Sequence, residues 1–385
     1  MAITADEVST EELPGRQPSR ALPFKPHFLF KVGEVRYEVL EELERRQSGE
    51  VLLLAQRRVR KEALAGRCFV RRLPSPSTYM RRQRLVEEVQ LAFRLQHPAI
   101  AQVQHLGVYD DAPHVVMEYV PGPSVETLVT AGVVRGRPTS EAFALYVGAE
   151  LAEALHHAHT LQDEDGRPLG VVHRDVNPRH VVVGLHGEVK LMNFGAAYSL
   201  LVGREESPES LVRGDVAYAS PEYVQRQPLT PRSDVFSLGV LLVELLTGKH
   251  LFDVEAVPRA PQGQPPRVEG IPSLPLKQMR ALLATLGPAF VEKAVEALTP
   301  EVKAILHKAL RANPEERFSS AAEVRDALRA AQALRGQSYG RPEAAEEAAR
   351  VLVEGGSMRD KVEFGEAGLY PEGLDAHELA ALEEE

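Results

Sequence analysis

The sequence predicts an α+β fold built from a small β-rich section carrying one helix and a larger α-helical section. Three observations predict it. Short runs rich in β-branched and aromatic residues cluster between residues 50 and 119. Helical periodicity and capping residues dominate from about residue 139. Between them VPGPS, residues 120–124, is a turn-forming join. At 385 residues the chain is long enough for two domains or one large two-lobed one.

Taken in order, residues 1–31 hold polar clusters and scattered prolines without periodicity, and are expected to be disordered. The β-rich section is expected over residues 32–120, the helical one over 121–335, and an acidic tail over 336–385. Strands are predicted at Glu50–Gln56, Arg67–Leu73, Ala101–Tyr109 and His114–Tyr119. Residues 81–96 place Leu85, Val86, Val89, Phe93 and Leu95 at helical spacing. Thr139 or Ser140 caps a helix running to about His159, and two short strands bracket the stretch Val171–Tyr198. Residues 233–248 are apolar nearly all round and end at Gly248, as a helix buried in a domain does. LTPEVKAILHKAL offers a Thr cap with Pro at the first helical position, and SSAAEVRDAL offers Ser320 and Glu323 as a capping box. Residues 257–275 form a Pro/Gly-rich loop. In the tail, EAAEEAARVLVE suggests partial helix, either docked or trailing.

Composition narrows the function classes. Hydrophobic residues make up 44% and charged residues 26%, as in an ordinary soluble protein. MAITADEVSTEEL is acidic and polar, without a secretory pattern. The best apolar run, LGVLLVELL, is short and interrupted by Glu244, so no membrane span is expected. A single cysteine, Cys68, excludes an internal disulfide and suits a cytoplasmic protein. Of the net charge of −10, residues 341–385 contribute −9, which argues against nucleic acid as a partner of that region. His156, His157 and His159 lack carboxylate or cysteine company, so packing is expected there ahead of metal.

The chemistry concentrates in VVHRDVNPRHVVVGLHGEVKLMNFGAAY, residues 171–198. With HRD at 173–175, NFG at 193–195, SPE at 220–222 and Arg317 in NPEERF, the chain resembles the protein kinase superfamily over roughly residues 32–335. The likeness is greatest to bacterial Ser/Thr kinases of the eukaryotic type, particularly those of myxobacteria, and implies a bilobal kinase-like fold. In that family catalysis rests on positioning Mg-ATP and a hydroxyl. The resemblance makes Asp175 the aspartate that orients the hydroxyl and Glu88 the partner of the strand lysine. It makes Met117 the gatekeeper and Glu118 to Val120 the adenine hinge. Glu222 and Arg317 match a buried ion pair anchoring the activation segment, and Asp234 matches an aspartate that binds the catalytic-loop backbone. His173 and Arg174 match the spine and the activation-segment contact, for which Ser207 or Ser210 would be phosphorylation candidates.

Against that pattern the chain departs at many positions. Arg71 stands at the lysine: it can fork onto Glu88 but does not present a point charge to phosphates as lysine does, and a purely structural bridge is the alternative. Phe69 replaces a small residue above adenine, where it either fills the roof of the pocket or, in a shifted register, joins the β core. Only Gly49 survives of the phosphate loop's glycines; Glu44 adds negative charge there, and Arg45 and Arg46 either offset it or form a solvated tip. His180 and Asn193 stand at the two metal-ligand positions. Magnesium prefers hard oxygen ligands, and imidazole suits transition metals better. Asn177 replaces the lysine that steadies the transferred phosphate. Asp215 replaces a threonine, and would repel Asp175 unless it is protonated or turned away.

These departures make a pseudokinase the expected function: a protein that signals by binding a protein partner, with a true kinase among the candidates, and that uses no cofactor. The alternatives are an active Ser/Thr kinase handling ATP with Mn²⁺ or Mg²⁺ in an atypical site, and a switch that binds ATP without transferring phosphate.

Overall fold

The computed structural model describes residues 27–45, 51–59, 63–73, 89–194, 197, 215–252, 276–336 and 338–364. Among them are two compact units. Residues before Pro74 join Gly107–Val116 in the first; residues up to Leu106 from the preceding helix, together with Met117 onward, form the second.

The first unit is a β-meander. Strands β1 (His27–Val32), β2 (Val35–Arg45), β3 (Val51–Val59) and β4 (Ala63–Arg72) pair antiparallel in sequence order. Strands β5 (Val103–Tyr109) and β6 (Ala112–Glu118) complete the sheet in the order β1-β2-β3-β4-β6-β5. Residues 27–31, assigned from sequence to a disordered N-terminus, therefore belong to β1. The reason is aromatic: Phe30 is buried, stacks on Tyr109 at 3.9 Å between centroids and on Tyr37 at 4.7 Å. Side chains alternate across β4. Cys68 and Val70 enter the core with Leu53, Ala55 and Val116, while Phe69 and Arg71 lie on the other face. Phe69 pairs with Leu54 and Arg71 with Leu52, so the shifted register that would bury Phe69 in this core does not occur.

The second unit is mostly helical: α1 (Val125–Val134), α2 (Glu141–His159), α3 (Pro221–Val224), α4 (Pro231–Thr247), α5 (Leu276–Ala284), α6 (Pro288–Val295), α7 (Pro300–Ala309), α8 (Ala321–Ala333) and α9 (Arg341–Phe364). Helix α4 is its axis, with every residue from Ser233 to Leu246 buried. Residues 89–94 are helical, and Leu91 and Leu95 join this larger core. The helix expected within the β-rich section thus packs, in its described part, with the helical unit, and Phe93 is exposed.

Ser140, of the two candidates, caps α2 by accepting from the Phe143 N–H. The capping box expected at α8 is only half formed. Ser320 accepts from Glu323 N–H, but the Glu323 carboxylate turns to Ser319. Strands β7 (Val181–Val183) and β8 (Val189–Leu191) lie inside the stretch 171–198 as a hairpin, rather than bracketing it. The predicted Pro/Gly-rich loop 257–275, Ser207 and Ser210 lie outside the described residues. No described helix is long and apolar enough to cross a membrane.

Candidate functional site

The site is built on the loop from His173 to His180, the β7–β8 hairpin that follows it, and Asn193 just beyond. Asp234, at the start of α4, fixes the loop from below. Its fully buried carboxylate accepts from His173 N–H at 2.7 Å, Arg174 N–H at 2.9 Å and His159 Nε2–H at 2.8 Å. Burial alone would raise the Asp234 pKa, but the His159 bond and the backbone N–H donors hold it below the ordinary carboxylate value. The sequence pattern missed His159, whose spacing reveals nothing of a partner 75 residues away. His173 is buried and its pKa is lowered by that burial. The neutral ring donates from Nε2 to the Met192 carbonyl and accepts the Asp175 N–H at Nδ1. Arg174 takes a left-handed backbone, φ 64°, as does Asn193, φ 63°, a conformation that asparagine adopts more readily than most residues.

Asp175 is buried, and one of its oxygens accepts twice, from the Asn177 amide at 2.7 Å and from the Asp215 N–H at 2.8 Å. Asn177 is itself buried, its own oxygen occupied by the Arg179 N–H. It meets Asp175 but carries no cation that could reach further. The feared repulsion between carboxylates is met by geometry. Asp215 presents its backbone to Asp175 and turns its side chain to accept from Ala217 N–H, capping the turn at residues 216–218. Burial raises the Asp215 pKa, only partly opposed by that bond and by Arg179.

His180 and Asn193 are brought together. Asn193 Nδ2 lies 2.9 Å from His180 Nε2, and His180 Nδ1 lies 3.0 Å from the Asp175 carbonyl and 3.3 Å from its carboxylate. Two acceptors beside Nδ1 place the proton there, leaving Nε2 to accept from the Asn193 amide. With Nδ1 protonated, the Asn177 amide 3.0 Å away bonds to Asp175 and not to His180, and the hydrogen-bonded chain runs Asn177–Asp175–His180–Asn193.

A magnesium ion does not fit this donor set. The two groups that the resemblance assigns to the metal, His180 and Asn193, offer an imidazole nitrogen and a neutral amide bonded to each other, and the carboxylate beside them is that of Asp175 alone. Among the described residues no group of three or more His, Cys, Asp and Glu could hold a metal ion.

The remaining expected site residues are placed as follows. Phe69 and Arg71 share the face of β4 turned away from the core of their own unit. Arg45 forks onto Glu42 at 2.6 and 2.7 Å. Glu88 and Gly49 lie outside the described residues, and of Glu44 only the backbone, paired with Leu52, is described. Met117 begins the second unit and Val120 is buried within it. Glu118 bonds with Lys190 at 2.8 Å and accepts from Gln102 N–H.

The architectural pair is complete. Arg317 meets Glu222 through two bonds of 2.7 and 2.9 Å, and its other donors reach the carbonyls of Arg232, Arg311 and Ala312. Two more interactions had no sequence signal: Arg179 pairs with Glu126 at 2.8 Å, and the Tyr218 hydroxyl donates to the buried Glu244. Burial pushes the Glu244 pKa up to about 7.

Residues 37–330 match the model of the protein kinase domain family. The chain is 32% identical over 250 residues to the tyrosine-protein kinase MasK of Myxococcus xanthus, covering 63% of this chain and 34% of that protein. It is 32% identical over 256 residues to the serine/threonine-protein kinase PknB of Mycolicibacterium smegmatis, covering 65% and 35%. The chain thus spans about a third of the length of these curated relatives. In fold it is similar to the PknI kinase domain of Mycobacterium tuberculosis, with a TM-score of 0.51 at 23% identity, covering 76% of this chain and 95% of that one.

Proposed function

The chain belongs to the protein kinase domain family, and on that premise we propose that it is a pseudokinase, signalling by binding a protein partner and using neither nucleotide nor metal. One observation carries this reading: His180 and Asn193, at the family's metal-ligand positions, bond to each other and leave Asp175 as the only carboxylate of the three. The neutral Asn177 at the lysine position supports it, because a buried amide supplies no charge to a transferring phosphate. An active kinase is the candidate class of partner. Thermal melting tests the reading: with millimolar ATP and either Mg²⁺ or Mn²⁺ the midpoint stays unchanged, whereas a rise of several degrees contradicts it.

A second reading, an active Ser/Thr kinase, draws on the intact mounting of Asp175 over Asp234. It predicts transfer of radiolabel from ATP to a generic protein substrate, abolished by Asp175→Ala. The pseudokinase reading predicts no transfer in either protein.

A further inference from the structure

Helix α9 lies beyond the residues that match the family model, and it is seated on the elements that hold the altered loop. At its start the Arg341 carbonyl rests on the tip of the β7–β8 hairpin. A Cβ on Gly187 would fall 1.9 Å from that oxygen, and Gly187 also has a φ of 76°, so both contact and turn require glycine there. The same tip is tied to α2 by the Tyr146 hydroxyl, which donates to the Gly187 carbonyl. Further along, the buried Glu347 accepts from the Ser140 N–H, the Ser140 hydroxyl and the Tyr339 hydroxyl, which locks α9 to the cap of α2. Glu354 pairs with Arg135 and Arg137, and Gly355 lies against Ala131 of α1, where a Cβ would come within 2.8 Å. Helix α1 in turn holds Arg179 of the catalytic loop through Glu126.

The helix therefore grips the hairpin that separates His180 from Asn193, and the helix whose first turn holds the loop. It is also built to be weak. Gly355 and Gly356 sit in its interior, and a Cβ on Gly356 would meet nothing within 4 Å, so that residue lowers helix stability without a packing return.

We propose that α9 is a regulatory strap: seated, it keeps the β7–β8 hairpin rigid, and released, it loosens the hairpin and with it the His180–Asn193 contact. The strap acts whether or not the chain binds nucleotide, so its test is separate from that of the pseudokinase reading.

Hydrogen exchange read by mass spectrometry on the full chain supplies the test. In Glu347→Ala, exchange should rise about tenfold or more in residues 341–357 and in residues 181–191 together, while β2 to β4 keep their protection. In Gly356→Ala, both segments should slow together, by up to about fivefold. A hairpin that keeps its wild-type exchange while the helix changes in either variant overturns the proposal, and so does a helix that Glu347→Ala fails to loosen. If Glu347→Ala does not fold, Gly356→Ala, whose methyl group points into open space, decides alone.

Discussion

Two buried polar constellations lie in the same helical unit and have met opposite fates. At Glu222 and Arg317 the full charge complement is present: a two-pronged ion pair, with every guanidinium donor satisfied and Ser233 adding a bond to the carboxylate. Burial would raise the Glu222 pKa, but Arg317 holds it below the ordinary value. At Asp175, Asn177, His180 and Asn193 the backbone mounting is equally complete, yet Asp175 is the only carboxylate and the groups bond to one another. The difference teaches where the folding information and the chemistry reside. Charges that close on each other within the scaffold are retained. On the proposed pseudokinase reading, positions where charge would face a ligand carry groups that close on their neighbours instead, which satisfies a buried site without a ligand.

The comparison breaks most visibly at Arg317. Arg317→Ala leaves Glu222 buried without its cation and should cost about 3–5 kcal/mol in denaturant unfolding. The next effect is a pH dependence at Glu244. Its folded pKa, about 7, lies above the unfolded carboxylate value, so the folded state holds the extra proton. That contribution is fully present below the unfolded pKa and is lost as pH rises through about 7, amounting in all to roughly 3 kcal/mol. Unfolding curves of wild type and Glu244→Gln between pH 5.5 and 8.5 should diverge accordingly, the wild type losing stability relative to the variant. Asp234 and Glu222 have lowered values and act in the opposite sense: their contribution is present above the ordinary carboxylate range and is lost as pH falls through the folded pKa.

A smaller effect is a gain. Combining Arg71→Lys, His180→Asn and Asn193→Asp restores the oxygen and charge that a magnesium nucleotide needs. A charge pair at about 4 Å is worth roughly 4 kcal/mol at an effective dielectric near 20, before desolvation. A quarter of that is about a fivefold gain in affinity, visible as an ATP-dependent melting shift absent from the wild type. The smallest effect is at Arg179. Its pair with Glu126 is as short as that of Arg317 with Glu222, 2.8 against 2.7 Å, but it is partly solvated. Arg179→Ala should cost only about 0.2–1 kcal/mol, and a larger loss would show that burial is not what separates the two pairs.

Much of this was legible in the sequence, for definite reasons. The run of α4, apolar nearly all round, reads as a buried helix, and HRD, SPE and Arg317 lie at spacings that specify one fold. Strand β1 was missed because the ring that stacks most closely on Phe30, Tyr109, is remote in sequence. The substitutions at His180 and Asn193 were readable, but not their mutual bond, which depends on the hairpin between them and on the left-handed backbone of Asn193. The docking of α9 was open for the same reason. Its sequence left docked and trailing helix equally open until Glu347 and Glu354 are seen to meet Ser140, Tyr339, Arg135 and Arg137.

The most direct test is a titration of ATP, with Mg²⁺ and then with Mn²⁺, into the wild-type chain in a calorimeter. Closure of His180 on Asn193 predicts no saturable heat up to millimolar nucleotide. A one-to-one isotherm of micromolar affinity that requires the cation would contradict it.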